Sequence, residues 1–503
     1  MREPNSTSST QQTVSTVQPT TYDSFRQRLA DLLSKPPIED GDDPWLAVAQ
    51  QAPGGPLPPA DVHPTPESPP AATPAISAKL ADLGEFVPRA PTTIQETGLS
   101  RSEMEGLLLK LLLNCGALPG RDIAQHINLP FGLIEGLLRQ LKENLLVVYK
   151  GFRSVTDYMY ELTEMGNERA HRFAQRCTYF GTAPVSLHDY IQSVIAQSVT
   201  RQHPRLRDLR KAFGDLVLNE TLLCQIGQAV NSGLGLFLHG APGNGKTTIA
   251  ERIIKAFGES IWMPRAISIY GETVRLFDPS SHDPLPSLDE SGGHDSLIDR
   301  RWVRVRRPTI VVGGELTMDN LEITTNSATG ISEAPLQMKA NCGTLLIDDF
   351  GRQRVSAAEL LNRWIVPLEK RYDFLNLANG RKIQVPFDQL IIFSTNLEPR
   401  QLVDEAFLRR IPYKIDVADP TEAEFRQLFK DRAAEIGVLH QEAVVDYLIE
   451  KHYRSAGRGF RFCHPRDLLH QVRTYCDFLE RPPELTRQSI DAAVRNYFAV
   501  MYS

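Results

Sequence analysis

The sequence predicts an α/β protein whose main domain contains a parallel sheet and ends in a helical lid. Three apolar runs, GLGLFLH at 233–239, GTLLID at 343–348 and QLIIFST at 389–395, each end at a polar residue. Continuous apolar runs of this length are typical of buried strands. A helical pattern, IAERIIKAF, follows the first run closely, and residues 418–503 contain only helical patterns. Strands alternating with helices, followed by helices alone, indicate this architecture.

Composition places the chain among ordinary globular proteins. Its 503 residues suggest about three packed domains with linkers. Apolar residues make up 41% and charged residues 23%, and no stretch approaches the ~20 apolar residues of a membrane span. The six cysteines form no CxxC pair, and the N-terminus has no apolar signal segment. We therefore expect a cytoplasmic protein without membrane insertion, disulfide framework or zinc site.

Residues 1–95 are rich in Ser, Thr, Gln and Pro and contain few large apolar side chains. Such a segment does not bury enough apolar surface to offset the entropy lost on folding, so we expect a disordered arm. Within it, residues 22–35 place Phe25, Leu29, Leu32 and Leu33 on one helical face. This segment is either a docking helix for a partner protein or a transient helix without a partner.

Residues 96–180 form the next predicted unit. Ser100 and Glu103 have the spacing of a capping box, and three helical patterns, two short strands and a fourth helical pattern follow. This order resembles a winged-helix domain, and the segment YELTEMGNERA is similar to the wing-to-helix segment of bacterial winged-helix regulators. We expect a linker at 181–212, the α/β domain at 213–417 and the lid at 418–503.

DNA binding is not the favoured interpretation of the winged-helix-like unit. Helix-turn-helix proteins present Arg, Asn, Gln or Ser at the start of their recognition helix, whereas residues 130–136 here are PFGLIEG. The chain has a net charge of −6, so no overall cationic field draws it to nucleic acid. Lys150, Arg153 and the basic stretch 201–211 could still hold phosphates without sequence preference. We expect this unit or the arm to dock on a protein.

A glycine-rich loop at residues 240–248 carries the strongest chemical signal. It matches GxxxxGK[ST] and consists of Gly240, Ala241, Pro242, Gly243, Asn244, Gly245, Lys246, Thr247 and Thr248. The backbone N–H groups of such a loop, and the start of the helix after it, surround phosphate oxygens. Lys246 then reaches the β- and γ-phosphates, and the Thr247 hydroxyl binds Mg²⁺. The predicted cofactors are ATP and Mg²⁺.

Two adjacent acids, Asp348 and Asp349, end the second apolar run. Together with the glycine loop they resemble the Walker A and Walker B motifs of AAA+ ATPases, a family of P-loop proteins. The resemblance implies that Asp348 belongs to the Mg²⁺ shell and that Asp349 orients or deprotonates the attacking water. AAA+ proteins commonly carry Glu at the second position. Asp is one methylene shorter, which favours slow hydrolysis.

Four further residues match polar positions of AAA+ active sites. Asn396 follows the third apolar run, where the family has its sensor-1 residue, although a lone Asn after a strand is usually only a turn residue. Arg410, with Arg409 as second choice, matches the arginine finger that acts on the nucleotide of a neighbouring subunit. Arg466 matches the sensor-2 residue of the lid. The alternative interpretation of Arg409, Arg410 and Arg466 is that they are solvated surface residues.

Two extra segments indicate which groups of AAA+ proteins the chain resembles most. A long stretch separates the glycine loop from Asp348, and a helix with a predicted hairpin at 376–388 precedes Asn396. These positions resemble the helix-2 and pre-sensor-1 insertions of MoxR-like chaperones, magnesium chelatase subunits and bacterial enhancer-binding activators. Tyr270-Gly271 is similar to the aromatic–glycine pair of substrate-gripping loops. An aromatic in the β-prone run AISIYG is more often buried, so we expect Tyr270 in the core.

The resemblance implies an ATPase that assembles as a ring, commonly a hexamer, because an arginine finger acts in trans. The leading function is ATP-driven, chaperone-like remodelling of a protein partner. One alternative is a DNA-associated ATPase of transcription or replication that uses the winged helix. The other is a scaffold that is gated by ATP without useful turnover.

Overall fold

The structure is a computed structural model that describes residues 86–154, 157–286, 297–402 and 405–499. The amphipathic segment 22–35 and the rest of residues 1–85 lie outside the described residues. The end of the predicted arm is folded: the Phe86 ring packs edge-on against Trp302, and the Ala90 N–H donates to the Leu297 carbonyl. The prediction of disorder was therefore wrong for residues 86–95, because apolar side chains of this segment pack against a buried tryptophan cluster.

The N-terminal module contains three helices, a hairpin and a fourth helix at the positions that the sequence predicts. Ser100 caps the first helix in a capping box with Glu103. The hairpin strands pair antiparallel, and a two-residue strand joins them in the order β1-β3-β2. In chain order the elements are α1 (Arg101–Cys115), β1 (Leu118–Pro119), α2 (Gly120–Ile127), α3 (Phe131–Glu143), β2 (Val147–Ser154), β3 (Asp157–Leu162) and α4 (Glu164–Arg176).

Residues 181–212 are packed against the following domain, so their interpretation as a linker was wrong. Tyr190 is buried, and its hydroxyl accepts a hydrogen bond of 2.8 Å from Asn341. The Ser198 hydroxyl donates to the buried carboxylate of Asp388 at 2.7 Å. The apolar residues of this connector recur at helical spacing and therefore form a buried helical face. Its elements are β4 (Val185–Ser186), α5 (Leu187–Ala196) and α6 (Leu206–Ala212).

The main domain is built on a five-stranded parallel sheet, which confirms the predicted α/β fold class. The three apolar runs of the sequence form the three central strands, whose residues are buried almost throughout. The strand order is β10-β13-β16-β5-β17. The strands are β5 (Leu236–His239), β10 (Thr309–Val312), β13 (Thr344–Ile347), β16 (Leu390–Thr395) and β17 (Tyr413–Asp416). The helices are α7 (Glu220–Ser232), α8 (Lys246–Ile253), α9 (Leu336–Lys339), α10 (Ala357–Lys370), α11 (Pro399–Leu402) and α12 (Glu405–Leu408).

Additional strands extend the main domain between the glycine loop and Asp348. They form a two-stranded pair, β6 with β9, and a five-stranded sheet in the order β11-β12-β8-β7-β4, whose last strand comes from the connector. The strands are β6 (Ser260–Pro264), β7 (Ala266–Ile269), β8 (Glu272–Arg275), β9 (Trp302–Arg306), β11 (Thr324–Asn326) and β12 (Ile331–Glu333). The predicted hairpin before Asn396 is present as β14 (Tyr372–Asn376) and β15 (Lys382–Pro386), and so begins four residues earlier than the sequence suggested.

A buried arginine joins the N-terminal module to this additional segment. The Arg301 side chain is 3% exposed and forms an ion pair of 2.8 Å with Asp299. The same guanidinium donates to the carbonyl oxygens of Thr97 at 2.8 Å and Pro184 at 3.1 Å. A buried charge is stable only when its charge and its N–H groups find partners, so these contacts hold three parts of the chain together.

The lid consists of helices, as predicted. Thr421 and Glu424 form a capping box at its start, and Pro465 lies in the first turn of its third α-helix. The elements are α13 (Glu422–Ile436), α14 (Glu442–Leu448), a π-helical turn (Ile449–Arg454), α15 (His464–Phe478) and α16 (Arg487–Tyr497). Among all the helices of the described residues, none has both the length and the apolar character needed to cross a membrane.

Candidate nucleotide-binding site

The glycine loop connects β5 to α8 and adopts a backbone shape that glycine permits. Gly240, Gly243 and Gly245 have φ angles of 136°, 83° and 78°. A Cβ atom at Gly240 would lie 2.6 Å from the Val417 carbonyl oxygen, so this position excludes a larger residue. The first N–H groups of α8, which begins at Lys246, have no partner within the helix. The loop and the helix start therefore form an anion-binding site.

Lys246 is buried at the base of this loop. Its amine donates to Asn396 Oδ1 at 2.6 Å and to the carbonyl oxygens of Gly240 and Ala241 at 2.9 and 3.0 Å. All three acceptors are neutral groups. The ammonium is therefore held in place by neutral partners, and its charge is available for an anionic ligand.

The charge state of Lys246 depends on its surroundings. Burial lowers the pKa of Lys246, the carboxylates of Asp348 and Asp349 act in the opposite direction, and the nearby Arg461 lowers the pKa further. Added negative charge stabilises an ammonium, so a phosphate group bound at this loop would favour the charged form.

The two predicted acids lie beside the glycine loop, at the carboxyl end of β13. The Thr247 hydroxyl donates to Asp348 Oδ2 at 2.9 Å. Asn396 Nδ2 donates to Asp349 Oδ1 at 3.2 Å, so a chain of hydrogen bonds runs from Lys246 through Asn396 to Asp349. The carboxyl ends of parallel strands meet at one edge of a sheet, which explains how residues from β5, β13 and β16 come together.

The backbone at Asp349 is unusual. Its φ of 48° lies in the left-handed region, which Asp and Asn tolerate better than most residues. Gln353 Nε2 donates to the carbonyl oxygens of Asp348 at 2.8 Å and of Asp349 at 3.2 Å and so supports this conformation. Sequence reasoning missed Gln353, because it lies in an irregular loop without a motif. The loop thus fixes where the shorter Asp349 carboxylate points.

Thr247 and Asp348 form the predicted metal-binding pair. No group of three or more His, Cys, Asp or Glu side chains that could hold a metal occurs in the described part of the chain. Mg²⁺ usually keeps several waters and binds one or two protein groups together with substrate phosphates. One hydroxyl and one carboxylate beside a phosphate-binding loop therefore fit Mg²⁺ in a nucleotide complex.

The glycine loop, the acids and the lid face one cavity of about 620 Å³, which is within the usual size range of ligand pockets. Arg466 lines this cavity from the first turn of α15, as the sensor-2 prediction requires. Its side chain is 60% exposed and forms an ion pair of 2.9 Å with Asp467. A larger cavity of about 960 Å³, near Arg306 and Thr309, contains none of the predicted site residues.

Sequence reasoning missed two walls of the nucleotide-sized cavity. The first wall precedes α7 and consists of Asp215, Leu216, Val217 and Leu218. The second wall belongs to the lid and includes Leu428, Arg432, Phe462 and Cys463. Arg252 of α8 forms an ion pair with Asp215 and joins the first wall to the helix of the glycine loop. Neither group carries a motif. Only the short apolar run 216–218 marked the first group in the sequence.

Arg409 and Arg410 are not among the residues that line this cavity. Arg410 Nε donates to Glu369 Oε1, in the last turn of α10, at 2.7 Å. Arg409 is exposed. The structure therefore brings together the glycine loop, both acids, Asn396 and Arg466 and leaves the two finger candidates elsewhere on the surface. The assignment of the finger stays a prediction.

The expectation that Tyr270 lies in the core was wrong. Tyr270 is 66% exposed and, with Gly271, forms the two-residue turn between β7 and β8. Both residues have positive φ, 51° and 82°, as tight hairpin turns of this length often require. The β-prone run ends at Ile269, so Tyr270 falls in the turn. The Arg381 guanidinium, from the turn of the β14–β15 hairpin, lies 5.2 Å from the centre of its ring.

Comparisons with known proteins give one family match and several structural similarities. Residues 421–496, in the lid, match a family described as a domain of unknown function (DUF8689). No curated protein matches the chain at a significant level. The chain is similar to NtrX from Brucella abortus in complex with ADP, with 14% identity and a TM-score of 0.35 over 57% of each chain. It thus spans little more than half the length of NtrX.

A second similarity is to the RuvB Holliday junction branch migration motor of Thermotoga maritima. The identity is 15% and the TM-score 0.34, over 57% of this chain and 73% of that chain. The fold itself rests on the strand order of the parallel sheet, the glycine loop between β5 and α8, and the helical lid. These features give the chain a parallel α/β fold with a glycine loop after its first central strand and a helical lid.

Proposed function

We propose that the protein is an ATPase that binds ATP and Mg²⁺ between the glycine loop and the lid. One observation carries the proposal: the hydrogen-bonded chain Lys246–Asn396–Asp349 and the Thr247–Asp348 pair lie together in one cavity. A buried cation, an anion-binding helix start and two acids are the groups that phosphoryl transfer requires.

Each of these residues has a distinct task in the proposed reaction. The Lys246 ammonium and the N–H groups of the loop hold the β- and γ-phosphates. Thr247 and Asp348 hold Mg²⁺, which supplies positive charge to the phosphate oxygens when bound. The Asp349 carboxylate orients the attacking water and accepts its proton, and Asn396 keeps that carboxylate in position. Arg466 adds a cation from the lid side.

Turnover is proposed to be slow, because the catalytic acid is Asp. The positive φ at Asp349 and the hydrogen bonds from Gln353 fix the local backbone, and the backbone in turn sets where the short carboxylate points. A Glu would instead reach the water through its longer side chain. If this arrangement leaves the carboxylate too far from the water, the protein becomes an ATP-gated scaffold. That second function differs from the first in one measurable quantity, the release of phosphate.

The proposed active form is a ring, commonly a hexamer, in which Arg410 acts on the nucleotide of the neighbouring subunit. The position of Arg410 outside its own chain's cavity supports this proposal. Glu369 holds the Arg410 guanidinium at 2.7 Å, and so keeps it from folding freely over the surface. Arg409 is the second choice for this role.

The work done with ATP is proposed to be chaperone-like remodelling of a protein partner, in the manner of AAA+ proteins with two insertions such as the MoxR group. The support is the exposed Tyr270 at a hairpin turn beside Arg381. The N-terminal module, proposed to be a winged helix, would dock the partner. The exposed positions of α3 include Gly132 and Gly136, which have no side chain to read a base.

A DNA-associated ATPase remains the other class of function. Lys150 and Arg153 of the hairpin form ion pairs with Glu161 and Asp122 at 2.6 and 2.8 Å, so part of their charge is already compensated. Retention of the full-length protein on duplex DNA at physiological salt, with a steep loss on added salt, would favour that class over the protein partner.

The test of the ATPase proposal is phosphate release by the full-length protein with ATP and Mg²⁺, beside ATP binding measured by calorimetry. Wild type should bind and hydrolyse ATP, and Lys246→Ala should do neither. Lys430→Ala, on the exposed side of α13, is the matched control and should behave as wild type. Unchanged ATP affinity in Lys246→Ala would overturn the assignment of the loop, and binding without release would favour the scaffold.

A further inference from the structure

One carboxylate, Asp419, contacts both the glycine loop and the lid. It lies where the chain crosses from β17 to α13. Its Oδ1 accepts a hydrogen bond of 2.8 Å from Asn244 Nδ2, and its Oδ2 forms an ion pair with Arg461 of the lid. A residue at the crossing between the α/β domain and the lid thus contacts the glycine loop on one side and the lid on the other.

The glycine loop and the lid also touch directly. The Cys463 N–H donates to the Gly243 carbonyl at 3.0 Å, and a Cβ atom at Gly243 would lie 2.5 Å from Cys463 Sγ. Asn244 is 3% exposed and donates a second hydrogen bond, of 3.1 Å, to the Val417 carbonyl. With so little free space between them, the lid segment at 461–463 cannot shift without displacing the loop.

Charge links the same groups to the nucleotide site. Arg461 Cβ lies 3.8 Å from the position that a Cβ atom would take at Gly243, so the loop has two cations beside it, Arg461 and Lys246. Asp419 compensates one of them. Phosphate groups bound at the loop would attract both cations and compete with Asp419 for Arg461.

We propose that Asp419 is a positioning residue that couples the occupancy of the glycine loop to the orientation of the lid. It holds Asn244 and Arg461 in a fixed relation, so a change in the loop on ATP binding is passed to the lid through Asp419 in addition to the direct Cys463–Gly243 contact. This inference rests on the proposed ATPase function. It assigns a role in that function to Asp419, which lies outside the glycine loop, the two acids and the sensor positions.

The test is hydrogen–deuterium exchange of the full-length protein with and without ATP, combined with kcat and KM. In wild type, ATP should slow exchange in the glycine loop and in the lid segment 459–463. Asp419→Asn keeps the size of the side chain and an acceptor for Asn244 but removes the charge. It should keep ATP protection in the loop, lose it in the lid segment, and lower kcat roughly three- to tenfold with KM nearly unchanged.

Two further variants sharpen the test. Arg461→Gln should reproduce the effect of Asp419→Asn, and the double variant should be no worse than either, because both remove the same interaction. Asp477→Asn, an exposed carboxylate on α15, is the control and should leave exchange and kcat unchanged. If Asp419→Asn fails to fold, Arg461→Gln carries the test.

The outcomes separate this inference from the function on which it rests. A wild-type glycine loop that ATP does not protect would overturn both. A protected loop with an unchanged lid response in Asp419→Asn and Arg461→Gln would overturn the coupling role alone. A rise in KM without loss of kcat would also overturn it, because Asp419 would then contribute only to binding.

Discussion

Asn396 donates a hydrogen bond of 3.2 Å from its amide nitrogen to Asp349 and accepts one of 2.6 Å from Lys246 through its amide oxygen. The amide is fixed on both sides, because a rotation by half a turn would break both bonds. Asn396 therefore sets the distance between the Lys246 ammonium, which is proposed to hold the phosphates, and the Asp349 carboxylate, which is proposed to orient the attacking water.

Asn396→Ala should bind ATP with nearly wild-type affinity and hydrolyse it on the order of 100-fold more slowly, because Asp349 loses the group that positions it. Separate measurements of Kd and kcat check this expectation. Asn167→Ala, at an exposed position of α4, is the control. A weaker Kd with unchanged kcat would mean that Asn396 contributes to binding instead.

Asp349→Asn should retain ATP and lose turnover, because an amide cannot accept the proton of the attacking water. The substitution suits the backbone, since Asn tolerates the left-handed region as well as Asp does. The thermal unfolding midpoint should therefore stay close to that of wild type. Normal phosphate release by this variant would show that another residue is the base.

Arg410→Ala should leave ATP binding intact and strongly reduce hydrolysis. A mixture of Arg410→Ala with Asp349→Asn should regain part of the activity, because some interfaces of a mixed ring contain both wild-type groups. Mixed assembly is verified by co-purification of differently tagged chains. No recovery in verified mixed rings would contradict a finger in trans, and a larger effect of Arg409→Ala would move the role to that residue.

His464 should make the lid sensitive to acid. Burial, assisted by Arg461, lowers the pKa of His464 from its ordinary 6.5 to about 4. Between these values the unfolded chain binds a proton that the folded chain does not, so the free energy of unfolding falls as the pH drops through this window. In His464→Gln the slope of urea-unfolding stability against pH should be flatter. His188→Gln, an exposed histidine, should keep the wild-type slope.

The parts of the site that could be predicted from the sequence are those in which order along the chain determines position. The glycine loop follows a strand and begins a helix, and Asp348, Asp349 and Asn396 end neighbouring strands of one parallel sheet. Parallel strands place such ends at a single edge, so spacing alone suffices to bring these residues together.

The remaining parts depend on contacts between distant segments. Arg461 and Asp419 face each other only because the lid folds back over the loop, and Asp215 reaches the site through Arg252. Whether Tyr270 is buried or exposed depends on where β7 ends, and a shift of that end by one residue changes the answer. Local patterns specify strands and helices, whereas such pairings and boundaries are decided by packing.

The short strand β4 determines where this protein can be divided. Its residues pair with β7 over Val185–Ile267 and Ser186–Ser268, so the connector completes the edge of the additional sheet. A chain cut between the N-terminal module and the main domain, at 212, would leave β7 with unpaired N–H and C=O groups. Such an open edge is a template for pairing with other chains. A shortened form that stays monomeric should therefore retain the connector from residue 181, and forms that begin after β4 should self-associate through the open edge of β7.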